Sequence, residues 1–422
     1  MQEAETTARM VQKKSIQIHE ETTCCIVGAG PAGTLLALLL ARKGVDVTLL
    51  EEHADFARDF RGDTVHPSTM EVLEQIGLAE RVLQLKHTEA RAMEFETSTG
   101  EIAASITFKH LKTHYPYIAL IPQVHFLECI TEAAREYPHF RLVMGARVEN
   151  LIEEDGYIHG VQYRGQDGWH ELRAVLTVGA DGRFSRTRQL AGFEPVKSSP
   201  PMDVLWFRLP HLEGDPKASG GTLELSQGHL LVRLDRGEEW QIGYIIPKGG
   251  YQAIKAAGLE QLRASIGELQ PIFKERMNTI TAWKQISVLS VESSMLKRWY
   301  RPGLLLIGDA AHVMSPVGGV GINYAIQDAV ATANILADDL QQGKAPTSAL
   351  ARVQRRRELP TKLIQSFQRL MQKQILGEVL ASQKQQPRLS RPFWLILHTP
   401  LIRAIPARFV AFGPRRERVK NT

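Results

Sequence analysis

The sequence is poor in cysteine and has no long apolar run. Only three cysteines occur in 422 residues, and two of them, Cys24 and Cys25, are neighbours, which excludes a disulfide framework and offers no zinc-ligand spacing. The longest uninterrupted apolar stretch, Leu35 to Ala41, is far shorter than the ~18 residues of a membrane span. The first twenty residues lack the apolar core of a signal peptide. These absences predict a reduced, cytoplasmic protein with a disordered leader at 1–21, buried thiols in the first strand and no metal site.

Neither charge dominates the whole chain, but basic residues collect near its end. Overall, 51 Lys and Arg oppose 46 Asp and Glu. Residues 351–422 alone hold 16 Lys and Arg against three Glu, so the rest of the chain is mildly acidic. Such a segment suits nucleic acid, an anionic membrane or an acidic protein surface. Because no zinc-finger, RNP or helix-turn-helix pattern accompanies it, we predict no nucleic-acid partner.

A strand, a glycine-rich turn, a helix and a second strand open the chain. The apolar run Thr23 to Val27 leads directly into Gly28-Ala29-Gly30-Pro31-Ala32-Gly33, and a second apolar run follows at Val45 to Leu50. In this pattern the first glycine makes a tight turn, the second admits a pyrophosphate, and the third lets helix and strand pack closely. Glu51 then stands where a carboxylate accepts hydrogen bonds from a ribose, with Glu52 as an alternative. The unit predicts dinucleotide binding.

Two further motifs follow strand-like runs later in the chain. One runs from Gly179-Ala180-Asp181-Gly182 to Arg188. The other is Gly308-Asp309-Ala310-Ala311-His312, followed by Pro316-Val317-Gly318-Gly319-Val320-Gly321-Ile322-Asn323. In the latter, a buried strand brings Asp309 to a sheet end immediately before a helix N-terminus. That placement suits a carboxylate binding the sugar-alcohol hydroxyls of a flavin, with N–H groups near Gly321 facing an electron-rich ring edge.

The middle of the chain has a different texture, with short strand-like runs and glycine-rich turns between about Pro200 and Val291. We therefore predict an α/β fold: a doubly wound, Rossmann-like FAD-binding domain, an inserted, mainly antiparallel β-sheet substrate domain, and a helical, basic C-terminal tail. The predicted divisions are the FAD-binding domain at 22–90, 119–200 and 292–345, the substrate domain at 91–118 and 201–291, and the C-terminal region at 346–422.

Over roughly residues 22–345, the three motifs together resemble the FAD-dependent aromatic hydroxylases of the para-hydroxybenzoate hydroxylase fold, the single-component flavoprotein monooxygenases. The resemblance implies that NAD(P)H reduces FAD and that a flavin hydroperoxide formed with dioxygen hydroxylates an aromatic or other electron-rich, fairly apolar small molecule. It implies that the FAD-binding residues are Gly28, Gly30, Pro31, Ala32, Gly33, Glu51, Arg61, Gln123, Asp181, Asp309, Pro316, Gly319, Gly321, Ile322 and Asn323. Arg58 is an alternative to Arg61, and Arg188 belongs to the middle motif, which this family associates with FAD and NAD(P)H.

No catalytic side chain is assigned, but several residues are candidates. The candidate bases near a substrate hydroxyl are His66, His312 and Tyr244. His66 also fits a helix-capping role and His312 a structural one. The candidate substrate residues are Tyr117, Trp206, Phe207, Arg208 and Tyr244. Alternation along Val204 to Leu209 puts Trp206 and Arg208 on one face and Phe207 on the other, and either face could line the pocket.

Alternatives to this function stay open. One is an FAD-dependent dehydrogenase or reductase of a lipid-like substrate, and another is a non-enzymatic flavin-binding module that docks through its basic tail. Residues 391–416 mix aromatic and basic side chains between prolines, which suits peripheral contact with an anionic membrane. The same segment could instead pack on the acidic body or on a second subunit, which leaves a homodimer open.

Overall fold

A mostly parallel sheet of eight strands, called the main sheet below, forms the centre of the fold. The computed structural model describes residues 18–57, 62–97, 102–213, 215, 220–226, 229–381 and 404–420. The hydrogen-bonded order across the main sheet is Tyr300–Arg301, Leu304–Leu306, Trp169–Gly179, Ile18–Val27, Val47–Glu51 and Phe140–Met144. Two further strands, Tyr157–Arg164 and Arg147–Glu154, continue from Trp169–Gly179 as an antiparallel meander.

Helices cover one face of the main sheet, and the meander covers the other. The helices Pro31–Arg42, Gln123–Arg135 and Gly321–Gln341 share one apolar core with the sheet. The neighbouring thiols of Cys24 and Cys25 face opposite sides, and burial raises the pKa of both. Both are free and buried, so the prediction of core thiols is confirmed. Other α-helices are Pro67–Gln75, Ala79–Leu83, Arg186–Leu190, Tyr251–Ala257, Leu259–Leu269, Thr347–Ala381 and Ala404–Phe412.

The carboxyl ends of neighbouring strands meet at one edge of the main sheet. Val27 is in register with Leu50 on one side and with Gly179 on the other, and Gly179 is in register with Leu306. Directly beyond these ends, the chain runs into the three glycine-containing motifs and into Glu51. Open α/β sheets bind nucleotides beyond the carboxyl ends of their strands. The topology therefore brings the motifs, which are far apart in sequence, to one place.

A seven-stranded second sheet is built from two separate segments of the chain. Its order is Ser287–Ser290, Met202–Pro210, Glu239–Pro247, His229–Asp235, Gly220–Ser226, Ala92–Thr97 and Ile102–Thr107. Its strands pair antiparallel, except that Gly220–Ser226 runs parallel to Ala92–Thr97. The helix Leu259–Leu269 covers the outer face of this sheet. Val317 lies against the inner face and belongs to residues 316–323, called the glycine-rich stretch below. Two small three-stranded sheets comprise Thr64–Val65, Thr88–Ala90, Ile118–Leu120, Val196–Ser198, Ser293–Met295 and His312–Val313.

The C-terminal segment 404–420 packs against the body of the protein. Phe412 is buried in a core that it shares with strands of the second sheet. The Arg416 guanidinium lies 3.1 Å from the Glu71 carboxylate, and the Lys420 N–H donates to Asn334 Oδ1 over 3.0 Å. These contacts favour packing on the body for this part of the predicted tail, whose residues 391–403 lie outside the described ranges. None of the helices described here is long and apolar enough to cross a membrane.

A substitution at Val410 tests how much the packing of this segment contributes to the free energy of unfolding. Val410 is 6% exposed, whereas Val288 on an edge strand is 41% exposed. We expect Val410→Ala to lower the free energy of unfolding by about 2 kcal/mol, because it removes buried methyl groups and leaves a cavity. The control Val288→Ala should cost less than about 1 kcal/mol. Urea denaturation of both variants measures the difference, and equal losses would contradict the described packing.

The first strand begins earlier than the apolar pattern indicates. Ile18–Thr22 already pair in parallel register with His170–Ala174. Much of this stretch is exposed, so its side chains need not be apolar. The sequence therefore has no apolar run that would predict a strand here. The prediction of a disordered leader is therefore wrong for residues 18–21, and residues 1–17 lie outside the described ranges.

Candidate functional site

The first glycine motif makes a turn in which two glycines are required by packing. Gly28 has a φ of +100°, and a Cβ on it would lie 2.6 Å from Asp181 Cα. A Cβ on Gly33 would lie 1.9 Å from Gly28 O, because helix and strand touch backbone to backbone there. Any side chain at either position would push the motif apart.

Gly30 differs from these two glycines, because a Cβ built on it has no protein atom within 4 Å. Gly30 is the N-cap of the helix that begins at Pro31, and no side chain caps the first N–H groups of that helix. Uncapped N–H groups and the positive end of the helix dipole attract an anion. The open backbone at Gly30 therefore fits the pyrophosphate of FAD.

Of the two neighbouring carboxylates, Glu51 lies at this loop. Its Oε2 accepts a hydrogen bond from the Ala29 N–H (2.9 Å), and its Oε1 accepts one from the His53 N–H (3.1 Å). Glu51 is only 8% exposed. The Glu52 carboxylate points outward and pairs with Arg147 at 3.3 Å. A ribose next to the pyrophosphate would meet Glu51 and not Glu52.

The middle motif is a hydrogen-bonded frame under the third motif. Asp181 accepts hydrogen bonds from the Ser185 hydroxyl (2.5 Å) and the Thr187 N–H (2.8 Å), and burial raises the pKa of its carboxyl. Arg188 donates to the carbonyls of Asp309 (3.4 Å) and Ala310 (3.1 Å). Arg188 thus holds the backbone that carries Asp309. Direct contact of Asp181 with a cofactor stays a prediction.

The third motif places Asp309 at the same sheet edge as Glu51. Asp309 lies in the 3-10 turn Gly308–Ala310, directly after a buried strand. The Gly308 N–H donates to Asp328 Oδ2 over 3.0 Å, and this hydrogen bond ties the turn to helix Gly321–Gln341. A Cβ on Gly308 would lie 3.4 Å from the Cβ of Ala32, so the turn lies against the start of the first helix. A carboxylate here can reach the ribityl hydroxyls of a flavin whose pyrophosphate lies at Gly30.

The glycine-rich stretch folds into a tight turn after Pro316. Gly318 and Gly319 have φ angles of +80° and +61°, which glycine adopts without strain. The Thr64 hydroxyl donates to Gly319 O over 2.7 Å, and a Cβ on Gly319 would lie 2.6 Å from that hydroxyl. This turn therefore needs glycine for its own packing.

Gly321, by contrast, has open space beside it, as Gly30 does. No atom lies within 4 Å of the position of its Cβ, and no side chain caps the helix that begins there. An uncapped N-terminus with bare backbone fits the electron-rich edge of an isoalloxazine ring. Nearby, Ile322 Cδ1 lies 3.9 Å from the position of a Cβ on Gly62. Arg58 and Arg61, the predicted arginines of this loop, lie outside the described residues.

The side chain of Asn323 bonds the glycine-rich stretch to an earlier loop. Its Oδ1 accepts hydrogen bonds from the His66 N–H (2.9 Å) and the Thr69 hydroxyl (2.7 Å). Its Nδ2 donates to the carbonyls of Thr64 (3.3 Å) and Gly319 (3.4 Å). The side-chain amide is therefore fully used in tying the glycine-rich stretch to residues 64–69, and contact of Asn323 with the flavin ring stays a prediction.

Gln123 marks a junction between the two sheets. Its N–H donates to Asp63 Oδ1 over 3.3 Å, and Asp63 Oδ2 lies 2.8 Å from Arg236 Nη1 on the second sheet. Burial raises the pKa of Asp63, and the Arg236 charge opposes that rise. Asp63 belongs to the same Arg-Gly-Asp sequence as the predicted Arg61, but it was not among the residues predicted to form the site. An acidic residue in a loop carries no periodic signal, so only the tertiary structure identifies this pair.

The two faces of the second sheet have different neighbours, which decides the position of the substrate candidates. Val204 and Trp206 pack with Val317 of the glycine-rich stretch, so they are on the inner face. Phe207 and Tyr244 pack with the helix Leu259–Leu269 and are on the outer face. The inner face is therefore the one that can face a flavin.

Of the substrate candidates, Trp206 has the position that best suits contact with a substrate, because it lies on the inner face next to Val317. It is 8% exposed and lies across Gly243, where a Cβ would come within 2.9 Å of its ring. Arg208 is on the same side by alternation, but its side chain is 55% exposed and pairs with Glu239 at 3.2 Å. Tyr117 is buried in the apolar core that the main sheet shares with its helices, and the Arg91 guanidinium lies 5.4 Å from its ring centre. The expectation that Tyr117 lines the substrate is therefore corrected.

Tyr244 is also removed from the substrate side. Its hydroxyl lies 2.7 Å from His229 Nδ1 on the outer face. Burial raises its pKa to about 12, so the phenol stays protonated at neutral pH. The predictions of Tyr244 as a base and as a substrate residue are both corrected, because strand alternation turns its side chain away from the glycine-rich stretch.

Comparison with known proteins decides the family. A family model described as an FAD binding domain matches residues 21–367. The chain is similar to a 6-methylpretetramide 4-monooxygenase from Streptomyces rimosus, with 32% identity over 407 residues that cover 95% of this chain and 94% of the relative. The chain belongs to the FAD-dependent aromatic hydroxylases, the single-component flavoprotein monooxygenases.

Two further comparisons agree with this membership. A para-nitrophenol 4-monooxygenase from Pseudomonas sp. strain WBC-3 is 25% identical over 328 residues, covering 75% of this chain and 78% of that protein. The crystal structure of p-nitrophenol 4-monooxygenase PnpA from Pseudomonas putida DLL-E4 shares the fold, with a TM-score of 0.76 at 22% identity, covering 94% of this chain and 100% of the other. This aromatic hydroxylase is thus an oxidoreductase that binds FAD. Within its described residues, no group of three His, Cys, Asp or Glu side chains could hold a metal ion.

His66 of this aromatic hydroxylase is a buried structural residue. It is fully buried at the N-cap position of helix Pro67–Gln75, but its side chain does not cap that helix. Its Nδ1 donates instead to Val410 O over 2.9 Å. The imidazole therefore links the loop under the glycine-rich stretch to the C-terminal segment. The helix-capping role considered for the His66 side chain is not what the structure shows.

We expect His66 to make the folded hydroxylase sensitive to mild acid. Burial lowers the pKa of His66 to about 4, below the ~6.5 of an unfolded chain. Between these values the unfolded chain binds the extra proton, so stability rises with pH and falls on acidification. From pH 7 to pH 5, His66 should account for a loss of about 2 kcal/mol.

Urea denaturation at both pH values measures this loss. His66→Gln keeps a donor for Val410 O without the titration, so its loss should be smaller than that of the wild type. His125→Gln, at an exposed position, should match the wild type. An unchanged pH dependence in His66→Gln would contradict the assignment.

His312 lies in a buried network beneath the cofactor edge. It is 1% exposed, and its Nε2 lies 2.6 Å from Asp328 Oδ2. Asp328 Oδ1 accepts from Arg357 Nε (2.8 Å), and Arg357 Nη1 lies 3.4 Å from the Glu417 carboxylate. These contacts give His312 a structural task and support that alternative over a catalytic one. Asp328, Arg357 and Glu417 were not among the sequence candidates, because charged residues in helices and tails ordinarily indicate solvated surface.

Proposed function

We propose that this aromatic hydroxylase inserts one oxygen atom of dioxygen into a ring C–H bond of a neutral, extended phenolic substrate, with NAD(P)H as the two-electron donor. Bound FAD supplies the redox chemistry, and the second oxygen atom leaves as water. The observation that carries the proposal is the apolar inner face of the second sheet, which faces the glycine-rich stretch. A substrate held there lies next to the predicted flavin edge.

The chemistry of that inner face supports an aromatic substrate. Val204 and Trp206 form a buried apolar cluster with Ile245, Leu289 and Val317. Apolar side chains of this kind stabilise a flat, apolar ligand by removing it from water, and the Trp206 ring adds aromatic contact. The same side chains exclude water from the reacting atoms, which hydroxylation requires.

The charges around this face support a neutral substrate. Arg208 pairs with Glu239 at 3.2 Å, and Arg236 pairs with Asp63 at 2.8 Å. These two guanidinium groups, both in the described part of the chain, are therefore already matched by carboxylates. A substrate carboxylate would have to break one of these pairs, whereas a neutral phenol would not.

The protein groups proposed to act on the reaction are backbone and apolar groups. The N–H groups at the helix start near Gly321 are placed to stabilise negative charge at the ring edge. Of the three candidate bases, His66 and His312 are buried in structural contacts and Tyr244 is on the outer face. We therefore propose that orientation and water exclusion, more than a protein base, activate the substrate.

Coupled measurements of NAD(P)H oxidation, dioxygen uptake and product test the proposal. The panel contains 6-methylpretetramide and para-nitrophenol, after the names of the relatives, together with neutral polycyclic phenols and ring-matched carboxylates. We expect neutral phenols to stimulate dioxygen uptake and to be recovered hydroxylated. Reduction of a lipid-like alkene without dioxygen uptake would favour the reductase alternative, and preferred turnover of carboxylates would contradict neutrality.

A pair of variants tests the position of the substrate. Trp206→Ala should lower kcat/KM for the phenol by at least about tenfold, because it removes most of the aromatic contact area. Tyr244→Phe, which loses one hydroxyl on the outer face, should leave kcat/KM within about twofold of the wild type. A larger loss of kcat/KM in Tyr244→Phe than in Trp206→Ala would mean that the substrate binds at the outer face, which contradicts the proposal.

A further inference from the structure

A cavity of about 490 Å³ lies away from the predicted flavin edge. Its walls come from the second half of helix Gly321–Gln341, the start of helix Thr347–Ala381 and the C-terminal segment. Asn334 on this wall is 13 residues beyond Gly321, which places it about 20 Å farther along the helix axis. The cavity is therefore a separate place on the molecule, and its role does not depend on the proposed substrate.

Cations from two different parts of the chain line this cavity: Arg352, Arg355, Arg356, Arg415 and Lys420. Asp338 and Asp339 also line it, so positive charge is in excess. Arg356 is matched by Glu417 at 2.8 Å, and Arg352 is loosely matched by Asp339 at 3.8 Å. Within the described part of the chain, Arg355, Arg415 and Lys420 have no carboxylate oxygen within 4.0 Å. Three unmatched cations thus surround one concavity.

The wall that carries Arg415 and Lys420 is fixed by hydrogen bonds and by burial. The Glu417 side chain between them is 2% exposed. Asn334 Nδ2 donates to Arg418 O over 2.8 Å, and the Val419 N–H donates to Gln75 Oε1 over 2.7 Å. A fixed backbone lowers the entropic cost of ordering these side chains around a ligand.

We propose that this cavity binds a small soluble molecule that carries two or more phosphate groups. A guanidinium group matches phosphate oxygens in a two-bond geometry, and the cavity offers Arg355 and Arg415 together with the Lys420 ammonium. Its volume is within the range of small-molecule sites. The site is a depression open to solvent, which a free molecule can enter, whereas a flat basic face would suit a lipid surface. A bound polyanion also relieves the mutual repulsion of the three cations.

Titration calorimetry of the full-length, FAD-loaded enzyme with tripolyphosphate at physiological salt tests the proposal. We expect one site per chain. The triple variant Arg355→Gln/Arg415→Gln/Lys420→Gln should weaken binding at least about tenfold, because it removes the three charge-assisted contacts. The single variant Arg355→Gln should give an intermediate loss, which keeps the test valid if the triple variant folds poorly.

A charge-matched variant separates a site from a general charge effect. Lys112→Gln/Arg164→Gln/Lys255→Gln removes the same charge at exposed positions elsewhere and should bind tripolyphosphate as the wild type does. An equal loss in this control, or no binding by the wild type, would overturn the proposal. Co-sedimentation with phosphatidylcholine vesicles containing phosphatidylglycerol distinguishes the lipid source of phosphate. Vesicle binding that depends on Arg355, without binding of tripolyphosphate, would also overturn it.

Discussion

Gly30→Val should produce a folded protein that purifies without FAD. The space beside Gly30 contains no protein atom within 4 Å, so the apoprotein accommodates the new side chain. That space fits the pyrophosphate, which the valine would exclude, and FAD affinity should fall at least about 100-fold. The flavin absorbance per mole of protein measures retention, and denaturation of the apoprotein measures folding. We expect apoprotein stability within about 1 kcal/mol of the wild type.

Gly33→Ala is the matched contrast within the same loop. A Cβ at Gly33 would lie 1.9 Å from Gly28 O, so this smaller substitution should damage the fold itself. The expected pattern is loss of binding with a stable apoprotein for Gly30→Val, and loss of stability for Gly33→Ala. A yellow Gly30→Val protein with a full complement of flavin would show that the pyrophosphate does not lie at this loop.

Asp328→Asn should have the largest effect on stability, because three groups depend on its carboxylate. Asp328 is fully buried and accepts from Arg357 and the Gly308 N–H, with His312 at 2.6 Å. Removing one member of a buried ion pair leaves an uncompensated charge and costs about 3–5 kcal/mol. Since the Gly308 N–H would also donate to a weaker, uncharged acceptor, we expect weaker flavin retention as well. Equilibrium unfolding and the flavin-to-protein ratio measure the two effects.

The same helix supplies a control for this prediction. Asp338→Asn makes the same chemical change at an exposed position and should alter stability by less than about 0.5 kcal/mol. The double variant Asp328→Asn/Arg357→Met removes both charges and should recover part of the loss. A cost below about 1 kcal/mol for Asp328→Asn would contradict the described network.

Acid should weaken this network only at low pH. Burial alone would raise the pKa of Asp328, but the neighbouring His312 and Arg357 charges hold the pKa below its ordinary value near 3.8. The stabilisation is therefore present above the pKa of the unfolded chain and is lost as the pH falls through the lower folded value. In mild acid, between pH 7 and pH 5, the loss of stability should come from His66 and not from Asp328.

Backbone-level features of the cofactor site could be predicted from the sequence, because glycine spacing reports backbone geometry directly. Gly28 and Gly33 are required for packing, Gly30 and Gly321 leave open backbone at helix starts, and Glu51 ends its strand at the loop. The family and FAD predictions are confirmed by the comparisons. Each of these inferences depends on residues that are close together in sequence.

Side-chain roles were harder to predict, because they depend on contacts between distant segments. Asn323 belongs to the glycine-rich motif, yet its amide is consumed by residues more than 250 positions earlier. Trp206 and Tyr244 are both aromatic residues in strands of the second sheet. Their positions on opposite faces become evident only from the helix that packs on the Tyr244 side. From the sequence, the charge of Arg357 predicts a solvent-exposed side chain. In the structure the side chain is buried and pairs with Asp328 and Glu417.

The attachment of the C-terminal segment has a consequence for biosynthesis. His66 bonds to Val410, and Arg357 is neutralised by Glu417, so the loop under the glycine-rich stretch and the network under Asp309 both need residues 404–420. A nascent chain still lacking these residues, or holding them in the ribosome exit tunnel, would carry every glycine motif and still leave both regions incomplete. Tight FAD loading should therefore begin only after residues 404–420 have emerged from the ribosome and packed on the body of the protein.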